Sequence, residues 1–231
     1  MKLLRPLDYD ERLYLDKIHK YYQMNRPQDN VIRVADCGGA SGAYTDSVRI
    51  IFWDFVNRFH IFEPVPESFS FLKGKYQGLG DIEVSRKAIW KAAGIVKVGV
   101  GENPEHSQVM VVEYDGQVVT AQADTLDNLF GIYDRLHLVK LDIEGEEANA
   151  IRGAKTLISS GRIDFIQFEY GGTWIARKET LRGVGKLLPG WKIYSADVED
   201  LANARLKQAV LDFDDYSMRN YLCVAPHVNF S

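Results

Sequence analysis

The stretch VADCGGASGAY, residues 34–44, constrains the fold more than any other. An apolar run reaches an acid, Asp36, and glycines at 38, 39 and 42 follow at once. A strand that ends in a glycine-rich turn and leads directly into a helix is the opening of a βαβ unit in an open α/β sheet. Ligands of such sheets bind outside the carboxyl ends of the strands, which is where Asp36 would sit. Gly38 and Gly42 let the chain turn sharply and let a ligand approach backbone amides. The helix that follows aims its N-terminus at the same place. The spacing is D-x-G-x-x-x-G, which is neither G-x-G-x-x-G nor a P-loop. A tight turn without a ligand would give the same pattern, so the assignment depends on the rest of the chain.

Periodicity supplies that context. Residues 8–24 read as a helix with Leu15, Ile18 and Tyr22 on one face. Val31 to Asp36 is a strand, 43–56 a helix, and RFHIFE at 58–63 a second strand. PVPESFSFLKGKY starts a helix whose prolines suit its first turn. A third strand is expected around 81–89, and from 94 to 121 the period changes to two, with YDG as a hairpin turn. The alternation then resumes. A short helix lies at 124–132, LHLVKLDI is a strand, and 146–159 a helix. IDFIQFEY is the next strand, and 174–188 a helix. WKIYSA and YLCVA are late strands. Strands alternating with helices predict an α/β fold: a mostly parallel sheet covered on both faces, with an inserted β-hairpin region and an N-terminal helix. We expect an N-terminal helical extension over residues 1–30 and one domain over 31–231.

Composition excludes several classes. The chain has 231 residues, 46% hydrophobic and 26% charged, enough for a core without staples. A net charge of −4 and the lack of a basic arm argue against a nucleic-acid partner. Cys37 and Cys223 form neither a disulfide framework nor a zinc spacing. No apolar run reaches membrane-spanning length, and the N-terminus has no signal-peptide core, so a cytoplasmic location is expected.

Glu63 closes the second strand. An acid there is the common way for such sheets to hold a ribose diol, because a carboxylate accepts two hydroxyl hydrogen bonds. No basic residue beside it supports a 2′-phosphate. With Asp36, it favours a ligand that carries a nucleoside.

VADCGGASGAYT, FEPVPESFSFL and TLDNL…LVKLDIEGEEANAIRGA…IQFEY resemble the FkbM family of S-adenosylmethionine-dependent methyltransferases. The resemblance spans roughly residues 31 to 170, and FEPVPESF and KLDIEGEE are its most specific pieces. It differs at Ala40, where the family usually has Asn. The resemblance implies a Rossmann-like, seven-stranded class I sheet. It also implies that Asp36, Gly38 and Gly42 hold the methionine end of the cofactor S-adenosylmethionine, that Glu63 binds the ribose hydroxyls, and that Ala88 and Ile89 border the adenine. The charge logic agrees, since an acid beside the loop repels phosphates and attracts an ammonium.

Lys140, Asp142 and Glu144 alternate along the end of a strand and share one side if the strand persists. Asp142 and Glu144 are the candidate catalytic acids, placed to orient an acceptor or accept its proton. With Glu169 they could offer oxygens to a divalent cation, but the spacing carries no dedicated metal signature. Glu146 and Glu147 read as helix-start acids. His106, in the loop GENPEHSQ of the inserted segment, is a third catalytic candidate, on a lid or simply exposed. Tyr170 and Trp174 would either stack on an acceptor or pack in the core. Cys37 reads as a buried filler.

The expected activity is O-methylation of a hydroxyl on a sugar, glycan or other natural product. A nicotinamide-dependent oxidoreductase and a cofactor-binding module without catalysis are the alternatives. The acceptor would be a small molecule or carbohydrate.

Overall fold

The structure, a computed structural model, describes residues 7–100, 108–109, 117–131, 134–197, 205–209 and 218–230. Helix α1 spans Tyr9–Met24 and is closed by a capping box in which the Asp8 side chain and Glu11 satisfy each other's backbone amides. Strand β1, Val31–Cys37, leads through the glycine turn into α2, Ala43–Ile51. β2 is Val56–Phe62, α3 is Pro66–Lys75 and β3 is Ile82–Ser85. β4, β5, β6 and β7 are Lys87–Ile89, Gly94–Val100, Gln108–Val109 and Gln117–Asp124. α4, Leu126–Leu129, leads to β8, Leu136–Leu141. α5, Glu147–Arg152, and α6, Lys155–Ser159, precede β9, Ile163–Tyr170. α7, Thr173–Arg177, and α8, Leu181–Leu187, precede β10, Lys192–Asp197, β11, Arg205–Gln208, and β12, Arg219–Val224.

The main sheet has eight strands in the order β11-β10-β12-β9-β8-β1-β2-β3. β9, β8, β1, β2 and β3 run parallel, and β12, β10 and β11 add antiparallel pairings at one end. This is the expected α/β sheet with one strand more than seven. The extra strand, β11, is an edge strand of sequence RLKQ, mostly exposed, so it carries no hydrophobic alternation to announce it. β4–β7 form a second sheet, β4-β7-β5-β6.

Four predicted segments are split or cut short. The run 81–89 is two strands, because Ser85 ends its pairing with Phe62 while Lys87 pairs with Gln122 of the second sheet. α2 stops at Ile51, since Val56 and Asn57 are already aligned with Val31 and Ile32. The helix expected over 146–159 breaks at Gly153, whose backbone packs against Trp90; a Cβ there would lie 2.2 Å from the Trp90 carbonyl oxygen. The helix expected over 174–188 breaks at Lys178, a left-handed residue with φ 53°, and restarts with Thr180 accepting from the Gly183 amide. The YDG turn and His106 lie outside the described residues.

Register fixes the site. Asp36, Lys140, Gln167 and Leu222 are aligned across β1, β8, β9 and β12. Side chains alternate along a strand, so the row below, Val34, Leu138, Phe165 and Val224, shares their face. Those four are buried with Tyr14, Leu15, Ile18 and Tyr22 of α1 in one apolar cluster. α1 therefore covers this face, and the polar row lies at the top of its core.

Candidate active site

The turn after β1 is held by neighbours at the ends of β2 and β8 and at the end of α3. The Gly38 amide donates to the Phe62 carbonyl (2.9 Å), and the Asp142 amide donates to the Cys37 carbonyl (3.0 Å). A Cβ on Gly38, at φ 88°, would lie 1.9 Å from the Asp142 carbonyl oxygen. Gly42, at φ 75°, leaves room for the Tyr76 hydroxyl, which donates to the Gly42 carbonyl at 2.9 Å. The Lys75 ammonium donates to the Ser41 carbonyl at 2.7 Å. These glycines are needed because the backbone of one loop lies directly on its neighbours.

Above the turn lies a cleft of about 900 Å³, counting its open mouth. Its walls are the turn and the start of α2 (Asp36, Gly38 to Ser41, Ala43 and Tyr44), the end of β8 (Lys140, Asp142 and Glu144) and Glu169 of β9. Leu7, Asp8 and Glu11 at the start of α1, with Met218 and Asn220 at the start of β12, complete it. Nothing in the sequence marks these last five residues as part of the site. α1 is polar on one side for reasons any surface helix shares, and only its packing places Glu11 against Lys140.

Among the described residues, Lys140 is the one cation on these walls, with six acids. It is 2% exposed, 3.1 Å from Glu11 Oε1 and 3.3 Å from Asp142 Oδ2, with its ammonium 5.6 Å from the centre of the Tyr44 ring. Despite burial, the Asp142 and Glu11 charges hold its pKa above the ordinary lysine value. Asp36 is 1% exposed and accepts from the Thr45 hydroxyl at 2.7 Å. Burial raises its pKa to about 6, against the pull of Thr45 and Lys140. Burial and then the Asp142 charge raise Glu169 to about 7. The acids outnumber the cation, which is a field for a positively charged ligand and against phosphates.

Of the residues read as cofactor contacts, Asp36 and Gly38 are on the cleft wall, and Gly42 lies beneath the turn as its hinge. Glu63, Ala88 and Ile89 are within 4% of full burial and do not line the cleft. Glu63 Oε2 accepts from the Ala40 amide and Oε1 from the Val65 amide, both at 2.9 Å, and burial raises its pKa to about 7. The turn thus rests on Glu63 through Ala40, which itself sits at φ 43°. Asp142 and Glu144 both line the cleft, but β8 ends at Leu141, so Glu144, at φ 57°, reaches it from the turn and not by strand alternation. Among the described residues no group of three or more His, Cys, Asp or Glu is arranged to hold a metal.

Tyr170 and Trp174, each 1% exposed, pack against each other and, with Phe168 and Tyr221, in the core on the far face. Strand alternation explains this, since Glu169 takes the cleft side and Tyr170 the other. Cys37 is buried, and burial pushes its thiol pKa up, as expected of a filler. Glu146 stands at the start of α5, as its N-cap, and is fully buried, accepting from Trp90, Asn149 and Arg177 at 2.8, 2.6 and 3.1 Å. Glu147 Oε1 accepts from the Ile143 amide at 3.0 Å, and its buried Oε2 has no hydrogen-bond partner among the described residues.

Residues 36–200 match the methyltransferase FkbM domain. No curated protein matches the sequence. The fold is similar to that of the methyltransferase FkbM from Methylobacillus flagellatus KT, with a TM-score of 0.52 at 13% identity over 89% of this chain and 47% of that one. This chain spans about half the length of that relative. Aeropyrum pernix fibrillarin, solved with natively bound S-adenosyl-L-methionine, gives 0.48 at 13% identity over 94% of this chain and 76% of that one. Among the described residues no helix is long and apolar enough to cross a membrane.

Proposed function

The chain belongs to the FkbM family of S-adenosylmethionine-dependent methyltransferases, and from that premise we propose that it methylates a hydroxyl on a small-molecule or carbohydrate acceptor. One observation carries the reading: an acid-rich cleft opens on a glycine turn at the carboxyl ends of β1 and β8. That field suits the cofactor, which when bound supplies an electrophilic methyl on a sulfonium. Two glycines, Gly38 and Gly39, bring backbone to the same wall, so the residues present fit a ligand with an ammonium and a carboxylate at one end. In this reading Asp36 and the amides of the 38–42 turn hold that end. Glu63 takes the ribose hydroxyls in exchange for the Ala40 amide, and Ala88 and Ile89 back the adenine. Asp142, fixed by Lys140, orients the acceptor, and Glu144 borders it. His106 is a further candidate from the inserted segment.

Calorimetry tests the donor, with S-adenosylmethionine, S-adenosylhomocysteine and NAD titrated separately. Binding of the first two supports the reading, whereas tight NAD binding without them would replace it by a nicotinamide-dependent oxidoreductase. Formation of S-adenosylhomocysteine with hydroxylated acceptors tests the chemistry. In that assay Asp142→Asn should lower turnover more than cofactor affinity.

A further inference from the structure

Six acids line the cleft, and they are not equivalent. Asp36 is nearly fully buried and held by Thr45. Glu11 is paired with Lys140 and also accepts from the Asp8 amide at 3.2 Å. Asp142 is paired with Lys140. Asp8 caps α1. Glu144 has partners of its own. Glu169 differs: it is half-buried, and its carboxylate has no hydrogen-bond or ion-pair partner among the described residues. Asn220, its cross-strand partner, also lines the cleft, and its buried Oδ1 is unpartnered too. Asp142 stands two residues beyond Lys140, and Glu169 two beyond Gln167, the residue aligned with Lys140. The two acids are therefore neighbours on one face, and Asp142, on the strand next to β1, is the nearer to the glycine turn. A carboxylate in a cleft wall that no protein group holds is free to accept from a hydrogen-bond donor that arrives with the ligand.

Resting on the methyltransferase reading above, we propose that Glu169 is the general base that takes the acceptor's proton. The acceptor oxygen lies between Glu169 and the methyl group. Its lone pair forms the new O–CH3 bond as the CH3–S bond breaks, and the electron pair of that bond stays on sulfur, which becomes a neutral thioether. The hydroxyl proton passes to Glu169, which becomes a carboxylic acid. The charged groups around Glu169 are Asp142, Glu144 and Lys140 at the end of β8 and Glu11 on α1. Their balance, with burial, brings its pKa to about 7, so the base form gains population as pH rises through neutrality.

The test compares wild type with Glu169→Gln, which keeps the shape and removes the charge. At pH 8, an ionised Glu169 beside the methyl group favours the sulfonium over the thioether. The variant should bind S-adenosylmethionine about three- to tenfold more weakly while binding S-adenosylhomocysteine unchanged. At pH 5.5, where Glu169 is protonated, the two proteins should agree. With any acceptor that the wild type methylates, the variant should lose about 10²- to 10⁴-fold in kcat, and the acidic limb of the wild-type pH profile should vanish. If the wild type binds neither cofactor form, the methyltransferase reading fails first. If it binds both, an unchanged preference at pH 8 overturns the role of Glu169 alone. Equal losses for both ligands overturn it too, by making Glu169 a cofactor ligand.

Discussion

The Lys140 ammonium lies 3.1 Å from Glu11 Oε1, so an ion pair ties α1, which is outside the matched residues 36–200, to the floor of the cleft. The two side chains are 2% and 11% exposed, and water does little to screen the pair. The site is thus closed by an element that the family match does not cover. Lys140→Met would leave Glu11 and Asp142 without their cation, and urea denaturation at pH 7 should show a loss of about 3–5 kcal/mol. The loss should shrink below pH 6, where Asp36, with a pKa of about 6, takes up a proton and the excess negative charge falls.

Gly38→Ala should be among the most damaging single changes. The added methyl would sit 1.9 Å from the Asp142 carbonyl oxygen, on a residue at φ 88°. Backbone gives way less readily than a side chain. We expect a loss of at least about 2 kcal/mol by thermal or urea unfolding, with cofactor binding abolished in whatever folds.

Ala40→Asn should act in the opposite direction. Ala40 has φ 43°, a left-handed conformation that Asn tolerates better than Ala. A gain of about 0.5–1 kcal/mol is expected, read as a higher denaturation midpoint at an unchanged slope.

Glu63→Gln keeps one acceptor for the Ala40 or Val65 amide but turns an amide NH2 towards the other. Calorimetry with S-adenosylhomocysteine should show affinity reduced by about 1.5–3 kcal/mol if the charged carboxylate receives the ribose hydroxyls. Unchanged affinity would remove Glu63 from the cofactor site.

Glu147 gives a pH-dependent prediction. Burial is the largest cause that raises its pKa from 4.5 to about 8. Between those values the folded state holds a proton that the unfolded chain has released, so stability falls as pH rises through the window. The slope from this one group is at most about 1.4 kcal/mol per pH unit. Glu147→Gln removes it. Melting temperatures of variant and wild type should converge near pH 4.5 and separate in the variant's favour toward pH 8.

Much of the sheet was legible because its signals are local. β1, β8 and β9 are short apolar runs, and turn residues mark their ends. The cleft-side placing of Asp36 and Asp142 was also readable, because a strand's alternation and its C-terminal end place a side chain without knowledge of its neighbours, whereas Glu144 lies in the turn beyond β8 and is placed by that turn. Breaks inside helices were not readable: Gly153 ends α5 because Trp90 lies against it, and nothing near Gly153 in sequence says so. β11 was missed because an exposed edge strand has no core-facing pattern. Tyr170 and Trp174 were left between two readings that only their burial separates.

By itself the sequence determined the α/β alternation, the glycine turn and the acids at the strand ends, since chain direction and period are short-range properties. Tertiary structure decided what each acid does. Thr45 and Lys140 hold Asp36 and Asp142, the Ala40 and Val65 amides cover Glu63, and Glu169 faces the cleft without a partner among the described residues. Identical carboxylates become different because desolvation and charge pairing depend on groups that are distant in sequence and a few ångströms apart in space.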